Sequence, residues 1–132
     1  MLCYNFSMTD VYLIEDDPFL GGLLSERLEK EKVKFEWFVN AEDGEARLKS
    51  TIPNLILLDL ILPGLDGFTF LERLRANEDT KDIEVVVLSN LGDKEDLART
   101  SELGVIHHIV KANANLDDIV VGVKELLANQ KK

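Results

Sequence analysis

Cysteine is almost absent from this chain, with Cys3 the single one in 132 residues. An intrachain disulfide is thereby excluded, and a reducing cytoplasm is the expected setting. No apolar run approaches the roughly 20 residues needed to cross a bilayer, so no membrane association is expected. The opening segment, Met1 to Met8, lacks both the basic start and the continuous apolar stretch of a secretory signal. Basic charge is scarce as well: 15 lysines and arginines face 25 acidic side chains, for a formal net charge of −10. Such a surface repels phosphate backbones and argues against direct nucleic-acid binding. Repeats, linkers and low-complexity stretches are also missing. A single domain over residues 9–129 is therefore expected, with 1–8 as a loose N-terminal extension and 130–132 as a C-terminal tail.

What is present has the balance of a folded globular chain, 45% hydrophobic and 30% charged. A chain this long can bury about two-thirds of its unfolded surface in one core. Leu55-Ile56-Leu57-Leu58 and Val85-Val86-Val87-Leu88 are wholly apolar runs that stop at a polar residue, as strands covered on both faces do. Val11 to Ile14, Val33 to Val39 and His108 to Val110 supply three more candidate strands. Between them, apolar residues recur three or four apart, as in Leu20, Leu23, Leu24 and Leu28, in Phe68, Leu71 and Leu74, and in Leu116, Ile119, Val120, Val123 and Leu127. That spacing lines one side of a helix.

Asn40 and Asn115, each followed three residues later by an aspartate, suit helix starts, and Gly104 suits a helix end in the left-handed region. The segment from Asp93 to Leu103 has only Leu97, Ala98, Ser101 and Leu103 for an inner face and should be the least firmly docked helix. Strands alternating with helices imply right-handed crossovers and a parallel sheet with helices on both faces. In such sheets the polar site lies beyond the carboxyl ends of the strands.

Those ends carry chemistry. Glu15-Asp16-Asp17 follow the first strand, Asp59 the third, Ser89 the fourth and Lys111 the fifth. Each has an ordinary explanation alone, as a turn, a cap or a solvated charge. Together, clustered carboxylates raise one another's proton affinity unless a cation sits among them. A hard divalent ion such as Mg²⁺ suits an all-oxygen set, Lys111 supplies a point charge for a phosphoryl oxygen, and Ser89 a hydroxyl donor.

At this point the chain resembles the receiver domain of two-component response regulators, from about Thr9 to Asn129. The resemblance rests on Ile14-Glu15-Asp16-Asp17-Pro18, on Leu57-Leu58-Asp59-Leu60-Ile61-Leu62-Pro63-Gly64-Leu65-Asp66-Gly67, and on Ser89 and Lys111. It implies a doubly wound, five-stranded parallel sheet in the order 2-1-3-4-5 with five helices, of the flavodoxin-like, CheY-like kind. It implies further that Asp59 accepts a phosphoryl group from a histidine kinase or a histidine phosphotransfer protein. Asp16, Asp59 and the Leu60 backbone carbonyl would hold Mg²⁺, with Glu15 acting through water. Lys111 and Ser89 would contact the acyl phosphate, and the switched surface would meet a downstream protein target. Such a domain assists its own phosphorylation and is not otherwise an enzyme. Asp17 is expected to start a helix.

Three positions depart from the family pattern. Ala112 stands where proline usually follows the lysine, Asn90 where a small residue follows the serine, and His108 where the switch aromatic precedes the lysine by three. They keep open an alternative, a receiver-like protein-docking module that works without phosphorylation. Haloacid-dehalogenase-like phosphatases need a second acid where Ile61 stands, and a flavodoxin-like flavin carrier needs a hydroxyl- and glycine-rich loop where Glu15-Asp16-Asp17 would repel the phosphate. Ile61 and Leu91, two beyond Asp59 and Ser89, cannot hydrogen-bond a hydrolytic water, so slow loss of the phosphoryl group is expected.

Overall fold

The structure is a computed structural model that describes residues 9–90 and 94–130. Strands Val11–Ile14 (β1), Phe35–Phe38 (β2), Leu55–Asp59 (β3), Glu84–Ser89 (β4) and His107–Val110 (β5) form one sheet in the order β2-β1-β3-β4-β5. Every pairing is parallel, with Ile14 beside Phe38 and Leu58, Asp59 beside Leu88, and Ser89 beside Val110. Helices Pro18–Lys30 (α1), Ala41–Arg47 (α2), Gly67–Ala76 (α3), Lys94–Glu102 (α4) and Leu116–Gln130 (α5) alternate with the strands, and a short 3-10 turn, Lys111–Asn113, follows β5. No helix among the described residues is long and apolar enough to cross a membrane.

Alternation along the strands divides the core in two. Tyr12, Ile14, Ile56, Leu58, Val85 and Val87 face Phe70, Leu71 and Leu74 of α3. Val11, Leu13, Leu55, Leu57, Val86 and Leu88 face Leu24 and Leu28 of α1 and Ile119, Val120, Val123 and Leu127 of α5. β1 and β3 have helices on both sides and are buried along their whole length. A side chain of this kind contributes about 2 kcal/mol when fully buried. The edge strands β2 and β5 are only half-buried.

β2 is shorter than the expected Val33 to Val39. The α1 helix ends in a left-handed turn at Lys32, φ 61°, and the Val33 N–H donates to the Leu28 carbonyl at 3.0 Å. Val33 therefore completes a helix stop and fills the core below it, and the strand starts two residues later. Asn40 caps α2 through the Asp43 N–H at 2.8 Å. Asn115 caps α5 through the Asp117 N–H at 2.7 Å, not the Asp118 N–H that the spacing suggested. Gly104 has φ +81°, as a helix-ending glycine should.

Thr100 is the one buried residue of α4, although Leu97, Ala98, Ser101 and Leu103 were the expected inner face. Polar tethers hold this helix instead. The Arg75 guanidinium donates to the Leu103 carbonyl at 2.7 Å, and the Arg99 guanidinium sits 3.9 Å above the Phe68 ring. Residue Asp93, the expected start of this helix, lies outside the described residues.

Candidate functional site

β1 and β3 are neighbours and end side by side, so the residues that leave them meet at one rim. Glu15, Asp16 and Asp59 each offer a carboxylate oxygen within 4.8 Å of the others. They differ in burial: Glu15 is fully buried, Asp59 is 4% exposed, and Asp16 faces solvent. Lys111 reaches across from the end of β5 and places its Nζ 2.8 Å from Asp59 Oδ2 and 2.9 Å from Glu15 Oε1. The contact with Asp59 is a directed hydrogen bond, whereas Glu15 Oε1 is an ion-pair neighbour off the bonding direction and remains a buried acceptor without a donor. The other oxygens are committed to the backbone, Glu15 Oε2 to the Asp17 N–H at 3.1 Å and Asp59 Oδ1 to the Ile61 N–H at 3.0 Å.

Burial raises the Glu15 carboxyl to about 7, with Lys111 and the Asp17 N–H pulling it back and the Asp59 charge pushing it further up. For Lys111, burial alone would favour the neutral amine, but its hydrogen bond to Asp59 and its ion pair with Glu15 prevail and hold it above the ordinary lysine value. The cluster thus holds three acids and one cation, with one buried Glu15 oxygen that is ion-paired but receives no hydrogen bond. A divalent cation with oxygen preference fits that donor set.

Asp17 caps α1 by accepting the Phe19 N–H at 2.9 Å, as a helix-start residue should. The Leu60 carbonyl accepts the Gly67 N–H at 3.0 Å and keeps a second lone pair. Gly67 has no room for a side chain, because a Cβ there would lie 2.6 Å from Leu60 Cα and 2.7 Å from the Asp59 carbonyl oxygen. The loop that presents Asp59 is therefore closed directly onto the start of α3. Ser89 closes β4 on the strand next to Asp59 and is half-buried. Pro63 and Gly64 shape the same loop, Gly64 with φ +73°.

The chain matches the family model described as the response regulator receiver domain over residues 11–124. It belongs to that family. Receiver domains of this kind are signalling modules of two-component systems. Among curated proteins, the DNA-binding dual master transcriptional regulator RpaA of Synechocystis is 34% identical over 120 residues, 91% of this chain and 49% of that protein. The chain spans about half the length of the curated relatives it matches. Among solved structures, the signal receiver domain of a signal transduction histidine kinase from Syntrophus aciditrophicus is 28% identical, with a TM-score of 0.83, covering 94% of this chain and 93% of that one. A CheY-like response regulator receiver domain protein from Methanospirillum hungatei shares the fold at 23% identity and TM-score 0.83, covering 93% and 96%.

His108 does not join the acid cluster of this receiver domain. Its Nε2 lies 2.6 Å from the Thr100 hydroxyl, which also has the Asp96 and Leu97 carbonyls at 2.9 and 3.1 Å. A hydroxyl has one proton to give; when it goes to a helix carbonyl, the imidazole is the donor to Thr100. Burial, helped by the neighbouring His107, holds His108 below the ordinary histidine value. Sequence reasoning singled out His108 and missed Thr100, since a threonine in a polar helix carries no mark of burial. The Lys111–Ala112 peptide is trans, there being no cis peptide among the described residues.

Proposed function

We propose that Asp59 is the phosphoacceptor of this receiver domain and that Lys111 holds its charge in check before and after transfer. The observation that carries this reading is the Lys111 ammonium lodged between two buried carboxylates, 2.8 Å from Asp59. A histidine kinase or histidine phosphotransfer protein is the donor class. The P–N bond of its phosphohistidine breaks, a P–O bond to the Asp59 carboxylate forms, and the imidazole leaves with a proton from solvent. Asp16, Asp59 and the Leu60 carbonyl would hold Mg²⁺, with Glu15 behind them. When bound, the ion supplies charge neutralisation for the phosphoryl oxygens. Ser89 supplies a hydroxyl to one of those oxygens, and the rearranged surface meets a downstream protein target. The setting is cytoplasmic.

Intact mass after incubation with phosphoramidate and Mg²⁺ tests the reading. One acid-labile phosphoryl group per chain is expected, dependent on Mg²⁺. No uptake from phosphoramidate, acetyl phosphate or a cognate kinase would favour a docking module that works without phosphorylation.

Ile61 is 62% exposed beside Asp59 and cannot order a water. Replacing it with asparagine is expected to speed phosphoryl loss several-fold, about 1 kcal/mol of barrier for one added hydrogen bond to water. Decay followed by gel mobility or mass checks this, and an unchanged or longer lifetime would show that Ile61 does not limit hydrolysis. Leu91, the other position expected to matter, lies outside the described residues.

We also assign His108 a switching role, in which phosphorylation turns the ring inward and breaks its bond to Thr100. Because His108 is held below the ordinary value, its contribution to stability is complete above about pH 6.5 and fades as pH falls through the lowered folded-state value. His108→Phe is expected to remove that part of the pH dependence in urea unfolding between pH 5 and 8. Imidazole resonances identical with and without beryllium fluoride would exclude His108 from the switch.

A further inference from the structure

The geometry points to Trp37, seated in a notch left by Gly21, as a positioning residue for the acid cluster. This rests on reading that cluster as a Mg²⁺ site. The ladder between β1 and β3 stops at Ile14 and Leu58, so the chain leaves the sheet at Glu15 with its carbonyl beyond the paired region. The Trp37 indole supplies the missing donor: its Nε1–H bonds the Glu15 carbonyl oxygen at 2.9 Å. The Glu15 N–H is bound to the Phe38 carbonyl at 3.0 Å, and its side chain receives the Asp17 N–H at 3.1 Å. Residue 15 is thus held by its amide, its carbonyl and its carboxylate. The direction in which the next residue, Asp16, enters solvent follows from those three constraints.

Gly21 makes the indole's position possible. A Cβ at residue 21 would lie 2.1 Å from Cζ2 and 2.3 Å from Cε2 of Trp37, closer than two carbons can approach without a bond. Glycine inside a helix costs about 1 kcal/mol relative to alanine, and here close approach to the ring is what it permits. A Cβ at adjacent Gly22 would meet nothing within 4 Å, so the requirement belongs to residue 21 alone. The Gly21 N–H bonds the Asp17 carbonyl at 2.9 Å, which joins the notch to the first turn of α1 and the acid loop. One indole therefore sets the spacing between β2, the start of α1 and the end of β1.

Trp37 is the single tryptophan of the chain, so replacing all tryptophan during expression alters this site alone. Substituting 3-benzothienylalanine puts sulfur in place of the N–H in a fused ring of nearly the same shape, and so removes the donor. The full chain carrying it is expected to bind Mg²⁺ on the order of tenfold more weakly, the effect typical of losing a bond that orients a metal ligand. Mg²⁺ titration followed by the Asp16 amide resonance reads this directly. Faster hydrogen exchange is expected in the metal-free protein at the Asp17 amide, which bonds the Glu15 carboxylate, with a thermal midpoint close to that of the unsubstituted chain. Phosphoryl uptake should need more Mg²⁺ but reach the same rate at saturation. Trp37→Phe should shift Mg²⁺ affinity in the same direction.

A purely packing role would lower the thermal midpoint and leave the Mg²⁺ dissociation constant alone. An unshifted constant in both substituted chains overturns the inference. Absence of phosphoryl uptake in the unsubstituted chain, with Mg²⁺ binding intact, would defeat the phosphoacceptor reading while the same titration still decides the role of Trp37.

Discussion

Asp59→Asn is expected to abolish phosphoryl uptake and to lower the proton affinity of Glu15. The amide has nearly the shape of the carboxylate, so the loop around it should persist, but it is no nucleophile. Its hydrogen bonding cannot be conserved either. In the native protein Oδ1 accepts from the Ile61 N–H and Oδ2 from Lys111. An amide has one oxygen and two N–H donors, so serving Ile61 turns the NH₂ toward the ammonium. Lys111 should then settle onto Glu15, whose carboxyl loses the Asp59 charge that helped to raise it to about 7. Carboxyl chemical shifts in metal-free protein should show Glu15 titrating at lower pH in the variant. Stoichiometric acid-labile labelling of the variant would sink the assignment of Asp59, and an unmoved Glu15 would deny the coupling between the two carboxylates.

Much of this arrangement was legible in the sequence wherever burial imposes a pattern. β1 has the expected limits because four apolar residues covered on both faces cannot be mistaken for an amphipathic helix. The acids after it look alike as a triplet, and Asp17 did prove to be a cap. Glu15 is fully buried and Asp16 exposed, a difference that the triplet itself does not show. Residue 15 continues the path of a strand buried on both sides, while residue 16 is the first to escape it. The start of β2 was less legible, since the left-handed turn at Lys32 uses a residue with no preference for it. Longer-range facts had no local signature at all. Trp37 bonds a carbonyl 22 residues away, and Thr100 reaches a histidine from a helix whose expected inner face did not include it. Gly21 and Gly22 are indistinguishable by sequence, and only packing against an indole separates them.

Lys111→Met is expected to destabilise the metal-free domain by about 3 kcal/mol at pH 8.5, the usual penalty for removing one partner of a buried ion pair. Methionine matches the length of the lysine stem, so lost packing should contribute little. The larger effect is electrostatic: two buried carboxylates remain with no cation between them. The penalty should depend on pH in a determined direction. Glu15 is raised from 4.5 to about 7 in the fold, so it favours the folded state below its unfolded value and loses that contribution as pH rises through the folded value. Lys111 is one of the groups that pull Glu15 down, so its removal extends the unfavourable window upward. The difference between variant and native protein should therefore grow from pH 5.5 to pH 8.5. Mg²⁺ should recover much of it, because a second cation can stand where the ammonium stood. Urea unfolding at the two pH values, with a chelator and then with Mg²⁺, measures all three expectations. A penalty of equal size at both pH values would mean that Lys111 acts through packing, and that the buried acids are neutralised by something other than its charge.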